Sequence, residues 1–276
     1  MSQLSFADFF NSPESHVKRD VPERVKPTEQ RTVPAHRMMS IDTVRKEFVS
    51  VFQRTARHLR RWDVFSDFIT LAASELDLAR VRTPENIESS RKICARYDAA
   101  DIQNLHSLFG LMEMALEAKS HDFLGAIFME LELGSGDMGQ YFTPYPVQSL
   151  MARMLMPGVK DTIRREGFCT ISDPASGAAG MLVAYAECLL EEGFNPSVHM
   201  YGSCIDIDPI AADMAFIQLS LLGIAAEVVT GNSLTLVFSR VRYTPVYYLN
   251  NFEEKLATQR RINAMRKFMK MMQQAA

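Results

Sequence analysis

Apolar residues recur at helical spacing between residues 41 and 133, and this pattern predicts a helical domain. After Ser40, a residue type that often caps helices, Val44, Phe48, Val51 and Phe52 repeat every three or four positions. The same spacing predicts four more helices, over residues 62–78, 84–97, 99–118 and 122–133.

The first 40 residues show neither a helical nor a strand period. Four prolines lie there among alternating charges, and such a segment is expected to form a flexible arm. At most one short helix is expected in it, near residues 6–10.

The pattern changes after Gly134, where short β-type runs alternate with helices. Strands are predicted over residues 170–172, 198–205 and 226–230, and helices over 146–156, 181–192 and 209–222. This order and spacing are typical of a parallel sheet with right-handed crossovers. Residues 134–252 are therefore predicted to form an α/β domain, and residues 253–276 a basic, methionine-rich helix.

Composition and charge bear on three questions: nucleic-acid binding, membrane contact and metal binding. A net charge of −3 gives no general attraction for nucleic acid, so such a partner requires a local cluster of basic residues. Because the sequence has no run of 18 apolar residues and no basic-then-apolar leader, we expect a cytoplasmic protein without membrane contact. The four cysteines form no Cys-x-x-Cys pair, which favours reduced, buried thiols over a metal site.

Residues that bear chemistry follow each predicted strand. Asp173-Pro-Ala-Ser-Gly-Ala-Ala-Gly180 follows the first, Asp206-Ile-Asp-Pro209 the second and Gly231-Asn-Ser-Leu234 the third. Glycine lets the backbone approach a ligand closely, and the next helix presents free N–H groups there. An acidic side chain after the second strand can accept ribose hydroxyls, and an amide after the third can bond an adenine edge.

Each of these signals alone is also typical of an ordinary turn or helix cap. Because parallel strands end at one edge of a sheet, the three together predict a nucleoside-shaped crevice around Gly177, Asp206 and Asn232. A dinucleotide-binding oxidoreductase is an alternative, but the loop lacks the Gly-x-Gly-x-x-Gly motif of that class.

With Gly139-Gln-Tyr-Phe-Thr-Pro144 ahead of the first strand, the order of motifs resembles the adenine-N6 DNA methyltransferases. It is similar in particular to the modification subunit of type I restriction–modification systems. The resemblance implies an α/β, Rossmann-like S-adenosylmethionine-dependent methyltransferase fold with a truncated sheet, preceded by a helical N-terminal domain. It also implies S-adenosylmethionine as the cofactor and DNA as a partner.

The resemblance implies a cofactor-binding set: Tyr141, Phe142, Thr143, Asp173, Ala175, Gly177, Asp206, Ile207 and Asn232. The first three would lie against the methionine half of the cofactor, and Asp173 and Gly177 near its amine and sulfonium. Asp206 would hold the ribose. Asn232 would contact the adenine, where the family usually has Asp.

The family's catalytic tetrapeptide, Asn/Asp-Pro-Pro-Tyr/Phe, does not occur in the sequence. The nearest match is Thr244-Pro245-Val246-Tyr247, in which Tyr247 would stack on a flipped-out base and Thr244 would supply a hydroxyl in place of an amide. Two functions therefore stay open. One is an adenine-N6 DNA methyltransferase. The other is a catalytically inactive homologue that binds cofactor, DNA or a restriction–modification partner, in a decoy or anti-restriction role.

Two further segments bear on partners. One is a basic cluster: Arg54, Arg57, His58, Arg60 and Arg61, next to Trp62. It is typical either of a phosphate-binding surface or of a charged helix face in water. The C-terminal helix carries an apolar set, Met265, Phe268, Met269, Met271 and Met272. That set either packs on a protein partner or a second copy, or belongs to a solvated amphipathic helix.

Overall fold

The computed structural model describes residues 40–133 and 142–275, and the structural statements below refer to these residues. The short helix expected near residues 6–10 lies outside them, as does Tyr141. In the described part, no helix is both long enough and apolar enough to cross a membrane.

Five helices form the first part of the described chain, as the apolar spacing predicts. They are α1 (Ile41–Arg54), α2 (Arg61–Leu76), α3 (Pro84–Cys94), α4 (Ala99–Ala118) and α5 (Phe123–Glu130). All four apolar residues that predicted α1 are buried. The side chains of Thr83, Asp98 and Asp122 cap α3, α4 and α5 by accepting a backbone N–H.

Helices and strands then alternate. They are α6 (Tyr145–Met154), α7 (Val159–Glu166), β1 (Cys169–Asp173), α8 (Gly180–Glu191), α9 (Pro196–His199), β2 (Met200–Asp206), α10 (Pro209–Leu221), β3 (Ala225–Asn232), β4 (Val237–Tyr243), α11 (Pro245–Leu249) and α12 (Phe252–Ala275). The sequence pattern missed α7, α9, β4 and α11. Most of β4 is solvent-exposed, so its residues show no alternation between apolar and polar positions.

The four strands form one sheet in the order β1-β2-β3-β4. The first three are parallel, with α8 and α10 between them in the chain, and β4 runs antiparallel to β3. Asp173 lies beside Cys204, and Asp206 beside Thr230, so the loops after the three parallel strands leave the same edge of the sheet. The α/β fold class is confirmed.

One hydrophobic core runs through the helical part and the sheet. Phe48, Phe65 and Phe128 from the first five helices belong to the same buried cluster as Leu182 of α8 and Phe216 of α10. Residues 41–133 and 134–252, predicted as two domains, thus share the apolar burial that drives folding. The first five helices therefore pack against the α/β part and share its core.

The other face of the sheet is covered near the start of its strands. A second buried cluster lies there, made of Phe168, Tyr201, Ala225, Tyr247, Phe252 and Leu256. The rings of Phe252 and Tyr201 stack with 5.9 Å between their centroids, which fixes the first turns of α12. Residues 261–274 of the same helix are all exposed.

A buried arginine ties the edge strand β4 to two helices. Arg242 Nη1 lies 2.7 Å from Asp213 Oδ1 on α10, and its Nε lies 3.2 Å from Asp77 Oδ2, at the end of α2. Arg240 is a second partner of Asp213. Because Arg242 and both carboxylates are buried, each charge depends on its partners to offset the cost of leaving water.

Candidate functional site

The loop after β1 is bound to the end of β2. Gly177 N–H donates to Asp206 Oδ2 at 2.7 Å, and Ser176 N–H donates to Ile205 O at 3.0 Å. Asp206 Oδ1 also accepts the N–H of Asp208 at 2.9 Å. Asp206 therefore joins the first two strand tips, and the space beside them is called the crevice below.

The loop depends on two left-handed residues. Gly177 has φ +52° and Ala179 has φ +66°, just before α8 begins. A Cβ atom at Gly177 would lie 2.6 Å from ring atom Cε1 of Phe142, closer than any real Cβ contact. Gly177 is therefore required both by the backbone conformation and by the approach of the Phe142 ring.

Asp122 and Gln218 support the loop from the core side. Gln218 Nε2 donates to Ala178 O at 2.7 Å and to Asp122 Oδ1 at 3.0 Å, and its Oε1 accepts the N–H of Leu124 at 2.9 Å. Burial raises the pKa of the Asp122 carboxyl, while its hydrogen bonds from Gln218 and Gly125 lower it. Sequence reasoning missed Gln218, whose only signal is an amide inside an otherwise apolar helix.

Carboxyl groups give the crevice a negative potential. Burial raises the pKa of Asp206 above its ordinary value, the N–H groups of Asp208 and Gly177 lower it, and the charges of Asp208 and Asp173 raise it again. The site therefore favours a ligand that carries positive charge and hydrogen-bond donors. Within the described residues, no group of three His, Cys, Asp or Glu side chains is arranged to hold a metal ion.

Asn232 lies further along the same edge. It is two residues beyond Thr230, the partner of Asp206, which places its Cα about 7 Å further along β3. Its Oδ1 accepts the N–H groups of Leu234 and Thr235, at 2.9 and 3.1 Å, and so closes the turn into β4. The amide nitrogen is the donor that this side chain retains for a ligand.

The other residues expected at the cofactor lie around the loop. Asp173 Oδ1 accepts the N–H of Ala175 at 3.1 Å. The Phe142 ring packs edge-on against Phe128, with 5.0 Å between centroids. Thr143 and Ile207 are exposed. The structure thus brings Asp173, Gly177, Asp206 and Phe142 to the crevice, with Asn232 on the same edge.

The structure does not bring Thr244, Pro245 and Tyr247 to the crevice. Thr244 is fully buried, and its hydroxyl donates to Ile224 O at 2.7 Å and accepts the N–H of Ala226 at 2.9 Å. Ala226 pairs with Gly202, four residues before Asp206 and so roughly 13 Å from it along the strand. This segment lies at the opposite end of the sheet, because the antiparallel β4 returns the chain to the start of β3.

Tyr247 and Pro245 have structural surroundings at that end. Tyr247 stacks on Tyr243, with 4.3 Å between ring centroids, and is buried in the cluster around Phe252. Pro245 begins α11, where its missing N–H costs nothing. The contacts of all three residues are those of a packed connection between β4 and α12.

The α/β part of the chain is similar to one known family. Residues 126–242 match the sequence model of the N-6 DNA Methylase family. This matched stretch is called the methylase segment below. It contains the loop after β1, Asp206 and Asn232. Because it begins inside α5, it also includes the end of the helical part.

Two other comparisons add little to the family match. A solved structure of a proposed class I S-adenosylmethionine-dependent methyltransferase from Listeria monocytogenes is 18% identical, with a TM-score of 0.40. The match covers 71% of this chain and 55% of that one, so the chain spans about half the length of that protein. No curated protein matches the chain.

The N-6 DNA methylase family implies S-adenosylmethionine as its cofactor, and the side chains of the crevice fit this molecule. A carboxylate offers about four acceptor positions, and Asp206 uses two of them for backbone N–H groups. The remaining positions suit a ribose diol. The negative potential around Asp173 and Asp206 suits the sulfonium and ammonium charges of the cofactor.

Proposed function

We propose that the crevice binds S-adenosylmethionine and that the protein methylates the N6 amine of adenine in DNA. The observation that carries this proposal is the 2.7 Å hydrogen bond from Gly177 to Asp206 inside the methylase segment. It joins the glycine loop to the acidic side chain of the next strand, and both features are typical of nucleoside-binding crevices in open α/β sheets.

In this proposal each residue has one task. Asp206 accepts the ribose hydroxyls, Asn232 donates to the adenine ring, and Asp173 faces the ammonium group. The bound cofactor supplies an electrophilic methyl group on its sulfonium. Ala175, Gly177 and Ile207 shape the walls, and the segment Tyr141–Thr143 lies against the methionine half.

A second candidate function is a homologue that binds the cofactor without carrying out the transfer on its own. It is favoured by the position of Thr244 and Tyr247, at the far end of the sheet with the Thr244 hydroxyl already bonded. We therefore assign no catalytic role to that segment. Under either candidate we expect a cytoplasmic protein connected with restriction–modification, as enzyme, partner or decoy.

Titration calorimetry with S-adenosylmethionine tests the cofactor site. Asp206→Ala removes the ribose acceptor and the anchor of Gly177, and we expect it to weaken binding about tenfold or more. Asp161→Ala is the matched control, because Asp161 is an exposed carboxylate on α7. Equal affinities for the wild type and both variants, or no binding by the wild type, would exclude the proposed cofactor site.

Transfer of a labelled methyl group to DNA separates the two candidates. Label recovered in N6-methyladenine identifies an active methyltransferase. Cofactor binding without any label in DNA identifies the second candidate, and complementation by a partner subunit then becomes the next experiment.

A further inference from the structure

We propose that the turn between α1 and α2 binds the phosphate backbone of duplex DNA beside the crevice. This turn, residues 54–60, is called the basic turn below. The inference rests on the proposed action on DNA and adds the surface that holds the DNA.

The basic turn carries three exposed arginines without ion pairs. Arg54, Arg57 and Arg60 are all exposed, and within residues 40–133 and 142–275 none of them has an ion pair or a side-chain hydrogen bond. Elsewhere many arginines are neutralised by carboxylates, as Arg96 is by Asp67 at 2.7 Å. The basic turn therefore presents three positive charges that no carboxylate among the described residues neutralises.

Arg61 belongs to the same sequence cluster but has a different task. Its guanidinium donates to the carbonyl oxygens of Phe52, Thr55, Ala56 and Leu59. The first of these carbonyls belongs to the last turn of α1, and the other three belong to the basic turn itself. The Ala56 N–H donates to the buried Asp101 at 2.7 Å, so the turn is held at both its carbonyl and its amide groups.

This anchoring makes the basic turn a rigid platform. Arg54, Arg57 and Arg60 project from a backbone that Arg61 and Asp101 hold in place, so binding an anion requires little ordering of the main chain. A solvated helix face gives no reason for such fixation. Guanidinium groups on a fixed backbone suit phosphate oxygens, which they bind through paired N–H donors.

Aromatic contacts connect the basic turn to the crevice. The Trp62 ring lies 6.1 Å from the Phe128 ring, and the Phe128 ring lies 5.0 Å from that of Phe142. Phe142 in turn packs against Gly177. Two ring-to-ring steps, of 6.1 and 5.0 Å, thus separate the start of α2 from the cofactor loop, a span similar to the roughly 12 Å width of the DNA major groove.

Phosphate contacts at this distance would orient DNA without reading its sequence. A duplex whose backbone lies on the basic turn has its bases within reach of the crevice, where a flipped-out adenine meets the cofactor. The surface therefore sets affinity and position, while sequence preference comes from elsewhere.

Binding of a fluorescently labelled duplex of about 20 base pairs to the full chain, measured by anisotropy over a range of salt concentrations, tests this. The test variant is Arg57→Gln/Arg60→Gln. The matched control is Arg80→Gln/Arg82→Gln, which removes the same charge from exposed arginines beyond the other end of α2, about 24 Å away along its 16 residues.

We expect the test variant to weaken binding about tenfold or more near 0.1 M salt, and to lower the slope of log K against log salt by about two. The control variant should stay within about twofold of the wild type. Arg57→Lys/Arg60→Lys keeps the charge and should retain most of the affinity. Thermal melts of all variants should coincide, since the replaced side chains are exposed.

Equal losses in the test and control variants would overturn the inference, because net charge alone would then explain binding. An unchanged test variant overturns it too, while leaving the proposed action on DNA in place. A wild type that binds no DNA overturns both, and calorimetry with S-adenosylmethionine then still reports on the cofactor site.

Discussion

Gly177 combines φ +52° with an aromatic ring packed on its Cα, so a single added methyl group is enough to disturb the cofactor loop. The loop has few ways to adapt. Its neighbour Ser176 is bonded to Ile205, and the carbonyl of Ala178 is held by Gln218. Strain introduced at Gly177 is therefore expected to move Phe142 or to break the bond to Asp206.

Gly177→Ala is expected to lower the free energy of unfolding by about 1–3 kcal/mol and to weaken S-adenosylmethionine binding. Gly110→Ala is the control, because Gly110 lies inside α4 with no atom within 4 Å of the added Cβ. That change should stabilise the protein by about 0.5–1 kcal/mol. Urea denaturation and calorimetry measure both effects, and identical behaviour of the two variants would contradict this account of the loop.

Single residues differed in how well the sequence revealed them. Asp206 was predictable, because an acidic residue directly after a parallel strand has few places to lie other than the edge of the sheet. Its bond to Gly177 was not predictable, since it depends on how the loop turns in space. The position of Thr244 was also hidden, because sequence does not tell whether the chain after Asn232 crosses over or turns back.

At the scale of elements, β4 is fastened to the protein by charge. Its only strand partner among the described residues is β3, and most of its apolar side chains are exposed. The buried Arg242, paired with Asp213 and Asp77, provides the connection that apolar burial does not. The ion pairs of Arg242 thus hold the β3–β4 hairpin against α2 and α10.

Arg242→Met is expected to lower the free energy of unfolding by about 3–5 kcal/mol at neutral pH, because it leaves two carboxylates buried without this partner. Arg153→Met is the control: it breaks an exposed pair with Glu191 and should have little effect. Burial raises the pKa of Asp213, and Arg242 and Arg240 lower it, so the pKa rises further in the variant. The loss should be complete above that raised pKa and shrink as the pH falls through it.

Urea titrations of the wild type and both variants at about pH 7.5 and about pH 5 measure this dependence. A loss in Arg242→Met that grows on acidification would have the wrong sign and would contradict the assignment. Equal losses in Arg242→Met and Arg153→Met would show that the buried network contributes no more than a surface pair.

The sequence revealed elements with strong apolar period better than those without. The predicted range 99–118 is the range observed for α4, whose start is capped by Asp98. The strand β4 escaped because it has no buried face to give it an alternating pattern, and α9 and α11 because four or five residues hold less than two helical turns. Short or exposed elements are defined by tertiary partners that a local window does not contain.

At the scale of the whole molecule, α12 divides into an anchored part and a projecting part. Phe252 is fully buried between Phe168 and Tyr201. Residues 261–274 are exposed, and among them Arg266 forms an ion pair of 3.8 Å with Glu166 on the body of the protein. The apolar set around Met265 and Phe268, expected to pack or to meet a partner, has no packing within the described chain. The fold therefore draws its stability from the first turns of this helix.

Removal of residues 261–276 is expected to change the free energy of unfolding by less than about 0.5 kcal/mol. Phe252→Ala in the full chain should instead cost about 3–5 kcal/mol, because it empties the centre of the second buried cluster. Urea denaturation of the two proteins under identical conditions makes the comparison. A truncated protein that is as unstable as Phe252→Ala would show that the projecting part packs on the body of the protein.

The outer edge of β1 has a consequence for the behaviour of the chain in solution. Among the described residues no strand pairs with that edge, and Cys169–Asp173 contains neither a lysine nor a proline, the residues that commonly keep such edges from joining. Its brevity, five residues, is the protection that it has. We therefore expect copies of the protein to associate through this edge as the concentration rises. Dilution, or a segment that pairs with the edge, would reduce this association.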